Sequence, residues 1–274
     1  MSLHGYTTFA ITDINNTSAC LDVIRICNEK SLKPVVGIDF RNGTAVCYIG
    51  IARNNDGFVE LNKHLSEHLH SERSFDKIAP EFNHAYIIYP LHAYEGQVLR
   101  EHEFIGVSMA ELTQLPLFPV AKCTHKLVVL HTISFANKQH FNAHRILRAI
   151  DTNLLLSKLP VSEQGSSSQC MLSKTSLMRA YADYPFIIKN TERLLNDCHI
   201  EFTYGKLANK NLRYYTGSAA GDASLLRDEC MRNLMYRYPQ PTIPIMERIQ
   251  KEIDVISQLN FASYFLINWD IVNY

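Results

Sequence analysis

The sequence predicts an α/β domain on a mainly parallel sheet, followed by a mainly helical segment. Three observations carry this. Over the first two thirds, short β-branched runs alternate with longer stretches of helical period. From Asn142 onward the apolar residues recur almost only at helical spacing. Near Glu201 to Asp222, Gly, Asn, Lys and Tyr come together without helical period, which sets a domain boundary and divides the chain into residues 1–200 and 201–274.

Each element has its own warrant. Phe9-Ala10-Ile11-Thr12 reads as a strand. Leu21 to Glu29 reads as a helix with Leu21, Val23, Ile24 and Cys27 as candidates for its buried face, and Lys33 to Ile38 returns as a second strand. That is one βαβ unit. Val46 to Ala52 gives a third strand, and Phe58 to Leu69 a helix carrying Leu61, Leu65 and Leu69. Strands follow at Tyr86 to Tyr89, Phe104 to Val107 and Leu127 to His131, with a short helix over Met109 to Leu115. Ile146, Ile150 and Leu154 form one apolar stripe; Leu177, Tyr181, Ile187, Ile188 and Leu194 suggest two helices bent around Pro185. Glu163 to Gln169 is a polar loop. Leu225 to Tyr236 is a helix that Asp222 or Ser224 would cap, and Pro239, Pro241 and Pro244 stop it. Ile245, Ile249, Ile253 and Ile256 mark the next helix, before the apolar run Phe261 to Trp269, which needs a cover.

Composition excludes several classes. Lys plus Arg equals 27 and Asp plus Glu equals 27, so no global field steers the chain toward nucleic acid or membrane. Apolar runs such as Ala45 to Ala52 fall short of the roughly 20 residues of a membrane span. With no secretory signal at Met1-Ser2-Leu3-His4-Gly5, the expected location is cytoplasmic. The seven cysteines lack CxxC spacing, which favours buried free thiols. There is no Gly-x-Ser-x-Gly elbow, Walker loop or Gly-x-Gly-x-x-Gly.

In a parallel barrel, residues just after each strand converge on one rim. Asp13, Asp39, His92 and His131 hold such places and could jointly bind a divalent metal and activate water on a phosphoester. The plainer alternative has Asp13 capping the following helix or closing a turn with Asn15 and Asn16, and the histidines in ordinary loops. Lys206, Lys210 and Arg213, interleaved with Tyr214 and Tyr215, are candidates for contacts to a nucleic-acid backbone.

The order of residues at Phe9 to Asn16 and Lys33 to Phe40 resembles the polymerase-and-histidinol-phosphatase (PHP) domain that opens the alpha subunit of bacterial replicative DNA polymerase III. The likeness continues through Ile49 to Phe58, His144 to Ile150, Tyr184-Pro185-Phe186 with Asn190-Thr191 and Cys198, and Leu259 to Ile267. The wording Thr12 to Thr17 is most similar to the Bacteroidetes-type version. The resemblance implies a truncated (β/α)7-like barrel without its first strand over 1–200 and the start of the polymerase palm over 201–274. Lacking that strand, Phe9 to Thr12 should stand unpaired on one side. It also implies a replication role in which this part is architectural. The alternative is a PHP-type phosphoesterase or proofreading 3′–5′ exonuclease. Partners implied are the rest of the alpha subunit, DNA, and the exonuclease, clamp and clamp-loader subunits.

The departures bear on chemistry. Where metal-binding members of the family carry Thr-Asp-His, this chain has Ile14 after Asp13; where they carry Glu it has Asp39; and their Asp-x-His pair aligns with Thr132 and Ser134. Asp13 and Asp39 are remnant positions, and no metal or other cofactor is expected here. In the family, the aspartates holding two magnesium ions follow the segment matched by Phe261 to Tyr274, so this stretch is not expected to polymerise DNA alone.

Overall fold

The apolar run at the start does become a strand, β1 (Thr8–Ile14), and α1 (Cys20–Glu29) carries the chain back to β2 (Lys33–Asn42), parallel to it. This is the expected βαβ unit, except that α1 buries Cys20, Ile24 and Cys27 while Leu21 is exposed. The computed structural model describes residues 1–202 and 213–274, in two units, Met1–Tyr204 and Gly205–Tyr274.

In the first unit, β3 (Ala45–Ala52), β4 (Ala85–Pro90), β5 (Glu103–Val107) and β6 (Leu127–Val129) complete a six-stranded sheet in chain order. It is mixed rather than mainly parallel. β3 runs antiparallel to both β2 and β4, and the other three pairings are parallel. The cause is a tight hairpin in which Asn42 pairs with Ala45 and Gly43 adopts φ +61°, a left-handed conformation that glycine takes without steric penalty.

α2 (Asn55–Ser71) begins where Asn54 accepts a hydrogen bond from the Gly57 amide, and buries Leu61 and Leu65 while Leu69 stays exposed. Its His64 sits among Phe40, Phe75 and Phe82, with Nε2 2.7 Å from the Tyr48 hydroxyl. Burial, reinforced by His68, holds the His64 pKa down to about 4 from 6.5. The folded state therefore keeps the ring neutral while the unfolded chain protonates near 6.5. Stability should fall as pH drops from 6.5 toward 4 and then level off, by about 2 kcal/mol after allowance for solvent screening. Urea titrations across that range check it: His64→Gln should flatten this part of the profile, and an unchanged slope would refute the assignment.

Two single turns, Met109–Glu111 and Leu115–Leu117, replace the expected short helix. α3 (Lys138–Asp151), α4 (Lys174–Ala180) and α5 (Pro185–Asp197) follow, Pro185 lying in the first turn of α5 where its missing N–H costs nothing. The stripe expected to bury α3 is reversed. Ile146 and Ile150 are exposed, Ala149 is the buried residue of the helix, and Leu154 lies beyond its end, past a left-handed Asn153.

β1 pairs only with β2 among the described residues, which leaves its other edge open. The outer edge of β6 is covered by α5. Asn190 Nδ2 donates to the Leu127 carbonyl at 2.9 Å, and Thr191 Oγ1 accepts from the Val129 amide at 2.8 Å, so side chains satisfy groups that an unpaired edge would present.

All seven cysteines are free; Cys20, Cys27, Cys47 and Cys198 are buried, but Cys123 is exposed. No helix among the described residues is long and apolar enough to cross a membrane.

The second unit contains α6 (Ala219–Arg237), α7 (Ile243–Gln258) and α8 (Ala262–Asn273) around Leu226, Ala262 and Leu266. α6 starts six residues before Leu225, capped by Ser218 on the Gly221 amide rather than by Asp222 or Ser224. Asp222 is buried and instead accepts from the Tyr215 and Thr216 amides and the Thr216 hydroxyl, binding the preceding segment to the helix. Pro244 lies in the first turn of α7.

Candidate functional site

The ends of β1 and β2 and the chain just beyond β6 border a cavity of about 450 Å3 in the first unit. Asp13, Asp39, His131 and Thr132 line it, so three of the four rim residues expected from sequence do converge. Its remaining wall is largely aliphatic, with Ile49, Ile51, Ile88, Val128 and Leu194.

His92 does not join them. It lies in the turn after β4, largely exposed, and both its amide and Nδ1 sit 3.1 Å from Glu111 Oε1. Burial pushes Glu111 up, but hydrogen bonds from Ser108 and His92 outweigh it and hold the carboxyl below its ordinary range. His92 is thus part of a cap on the Ser108 turn, and the reading that made it a ligand is corrected.

Asp39 is 4% exposed, and both its oxygens are taken. Arg41 Nε donates to one at 3.0 Å and Arg41 Nη2 to the other at 2.5 Å. Such a fork engages both carboxylate oxygens and balances the buried charge. Asn15, at φ 46°, secures the same corner. Its side chain exchanges hydrogen bonds with the Arg41 backbone at 2.9 Å, and its amide donates to the Asp39 carbonyl. Asn16 accepts from the Ser18 amide. The turn after β1 is therefore built by the asparagines, and the Asp13 side chain makes no hydrogen bond or ion pair among the described residues.

His131 follows β6 by two residues, not at its end as expected. Burial lowers its pKa, partly offset by a hydrogen bond to the Cys170 backbone, and Nε2 is enclosed with no hydrogen-bond partner among the described residues. Ile14 faces outward, 54% exposed, and Ser134 is engaged through its amide with the Gln169 carbonyl. Among the described residues, no group of three or more His, Cys, Asp or Glu could hold a metal ion. The metal that the PHP resemblance brings with it does not fit this donor set, because Asp39 is already neutralised by Arg41.

Arg41 was not singled out from sequence. The available signal was its spacing from Asp39: residues two apart on a strand share a face. Lys206 and Lys210 lie outside the described residues. Arg213 is exposed, its guanidinium 5.4 Å from the centre of the Tyr214 ring.

Comparison with known proteins matches residues 224–274 to the family described as bacterial DNA polymerase III alpha NTPase domain. The chain is 23% identical to the DNA polymerase III subunit alpha of Halalkalibacterium halodurans and 22% identical to that of Bacillus subtilis, in each case over 98% of this chain and 27% of the relative. It is 25% identical to the corresponding subunit of Mycoplasma genitalium, over 97% of this chain and 30% of the relative. The chain therefore spans under a third of the length of these relatives. The relatives match across both units and the family model matches the second, so the likeness to bacterial DNA polymerase III alpha subunits runs over nearly the whole chain.

Proposed function

We propose that this chain serves DNA replication as the architectural part of a polymerase III alpha subunit, and performs no hydrolysis of its own. In this reading the first unit is a PHP-type barrel of the Bacteroidetes kind that has given up metal chemistry, and the second begins the polymerase palm. Template-directed addition of deoxynucleotides, with magnesium held by palm aspartates, belongs to the full-length enzyme, as do contacts with the exonuclease, clamp and clamp-loader subunits. Lys206, Lys210 and Arg213 contribute contacts to the DNA backbone there.

The observation that carries the metal-free reading is the Arg41 fork on Asp39. A divalent ion needs those oxygens free, and a guanidinium beside them repels it. The alternative, a phosphoesterase or 3′–5′ exonuclease using Asp13, Asp39, His92 and His131, also loses His92 to Glu111.

Metal analysis of the purified chain after exposure to zinc and manganese should find no stoichiometric ion, and labelled single-stranded DNA should stay intact with either metal. Stoichiometric metal that Asp13→Ala abolishes would establish the enzyme reading instead. The architectural part has its own check: deleting residues 1–200 from the full-length polymerase should impair primer extension, and undiminished extension would refute it.

A further inference from the structure

Asn42 and Gly43 are the one Asn-Gly pair in the sequence, and they stand at the turn of the β2–β3 hairpin. An asparagine so placed can react with its own backbone. The amide nitrogen of the next residue attacks the side-chain Cγ, and a glycine there brings no side chain to hinder the approach. The turn is open as well: a Cβ added at Gly43 would meet nothing within 4 Å.

The fold gives Asn42 a second role that opposes this chemistry. Its Nδ2 donates to the Phe75 carbonyl at 2.8 Å, and its Oδ1 accepts from the Phe75 amide at 2.9 Å. The side chain thus stands in for a strand partner and satisfies both main-chain groups of Phe75. Phe75 belongs to the irregular segment 72–84 between α2 and β4. Its ring is 6% exposed, stacked on His68 with centres 4.6 Å apart and set edge-on to Phe40 at 5.2 Å. Asn42 is therefore a latch that ties the segment covering these rings to the hairpin turn.

We infer that Asn42 is a site of spontaneous deamidation gated by this latch: the reaction proceeds only when the Phe75 segment lets go, and its product cannot remake the latch. The chemistry needs only water. The Gly43 nitrogen gives its proton to solvent base and bonds to Asn42 Cγ; the Cγ–Nδ2 bond breaks, and Nδ2 leaves as ammonia. Water then adds to either carbonyl of the resulting succinimide and opens it to aspartate, or to isoaspartate, whose main chain runs through the former side chain.

The gate follows from geometry. Attack makes Cγ tetrahedral, and the paired bonds to Phe75, which need a planar carboxamide, are lost before the ring closes. Two neutral hydrogen bonds of ordinary net strength hold the latch shut by about thirtyfold. The product carboxylate accepts hydrogen bonds but donates none, so the Phe75 carbonyl loses its partner and meets a second acceptor instead.

Peptide mapping by mass spectrometry tests this on the full 274-residue chain, incubated folded and unfolded in urea at about 37 °C and about pH 8. The Asn42 peptide should gain the mass of an NH-to-O exchange about thirty times more slowly in the folded chain. Phe75→Leu keeps the main-chain groups but loses the ring stacking, and should raise the folded rate about fivefold while leaving the unfolded rate alone. Gly43→Ala should slow the reaction in the unfolded chain, where the latch plays no part. Asn42→Asp supplies the product directly: hydrogen exchange over residues 73–82 should run about fivefold faster, with circular dichroism unchanged. Equal rates in the folded and unfolded chains overturn the gate, and so does a folded rate that Phe75→Leu leaves where it was. An unfolded chain that does not convert at Asn42 overturns the site itself. Exchange in Asn42→Asp at the parent value means that the latch closes on a carboxylate too, and overturns the one-way step. Should Phe75→Leu fail to fold, the parent's folded and unfolded rates decide the matter alone.

Discussion

Replacing Gly37 with alanine is expected to remove about 3 kcal/mol or more from the stability of the first unit, lowering its urea midpoint by roughly 1.5 M. The backbone at Gly37 is ordinary β-strand, so conformational freedom is not the reason. A Cβ there would stand 2.1 Å from the Gly50 carbonyl oxygen on β3, and 3.0 Å from Ile51 Cδ1. The near neighbour is backbone, and it belongs to the strand whose pairing runs Gly37 to Ile51 and Ile38 to Gly50. It can move only by spreading β2 from β3 in the middle of the sheet. Gly43 provides the contrast. Its φ of +61° disfavours a side chain, yet nothing lies within 4 Å of the added carbon, so Gly43→Ala should cost only about 1 kcal/mol. Chemical denaturation of the two variants side by side decides the matter. Equal losses would mean that the close approach of β2 and β3 is relieved at little cost.

That contrast also marks what a sequence can and cannot disclose. The βαβ unit and α2 were legible because their warrants are local: a period of two, a period near 3.6, and turn residues between them. The direction of β3 was not recognised, although Asn42-Gly43 between two apolar runs carried a hairpin signal; the alternation of strands and helices outweighed it. Periodicity found the stripe on α3 but could not tell which side of the helix the protein covers. Ser218 went unnoticed as a cap because Ala219, Ala220 and Gly221 open α6 without an apolar rhythm. At the site, strand ends located Asp13 and Asp39 because a sheet gathers such positions whatever the side chains are. His92 was assigned on the same rule and failed, since a capping contact within five residues of β5 claimed it first. Whether an acid is open to a ligand depends on its neighbours in space, and for Asp39 the deciding neighbour is Arg41.

Arg41→Ala is expected to destabilise the first unit by about 3–4 kcal/mol, more than the loss of an exposed ion pair, because it leaves the Asp39 carboxylate buried without a counter-charge. The side chains are 16% and 5% exposed for Arg41 and Asp39, so water cannot readily replace the guanidinium. Arg41→Lys should recover only part of the loss, since an ammonium cannot bind both oxygens in the plane of the carboxylate. Asp39→Val combined with Arg41→Leu should recover most of it, because removing both charges leaves no desolvated ion behind. A thermodynamic cycle from urea unfolding of these variants measures the coupling. If Arg41→Ala costs no more than about 1 kcal/mol, Asp39 is reached by solvent and its oxygens are open to a cation. If the cost is as large as expected, the fold depends on a pairing that occupies the donor atoms a metal would use. Stability and hydrolytic chemistry then exclude one another at this carboxylate: restoring a ligand means withdrawing the arginine, and withdrawing the arginine costs a large part of the stability that a domain of this size possesses.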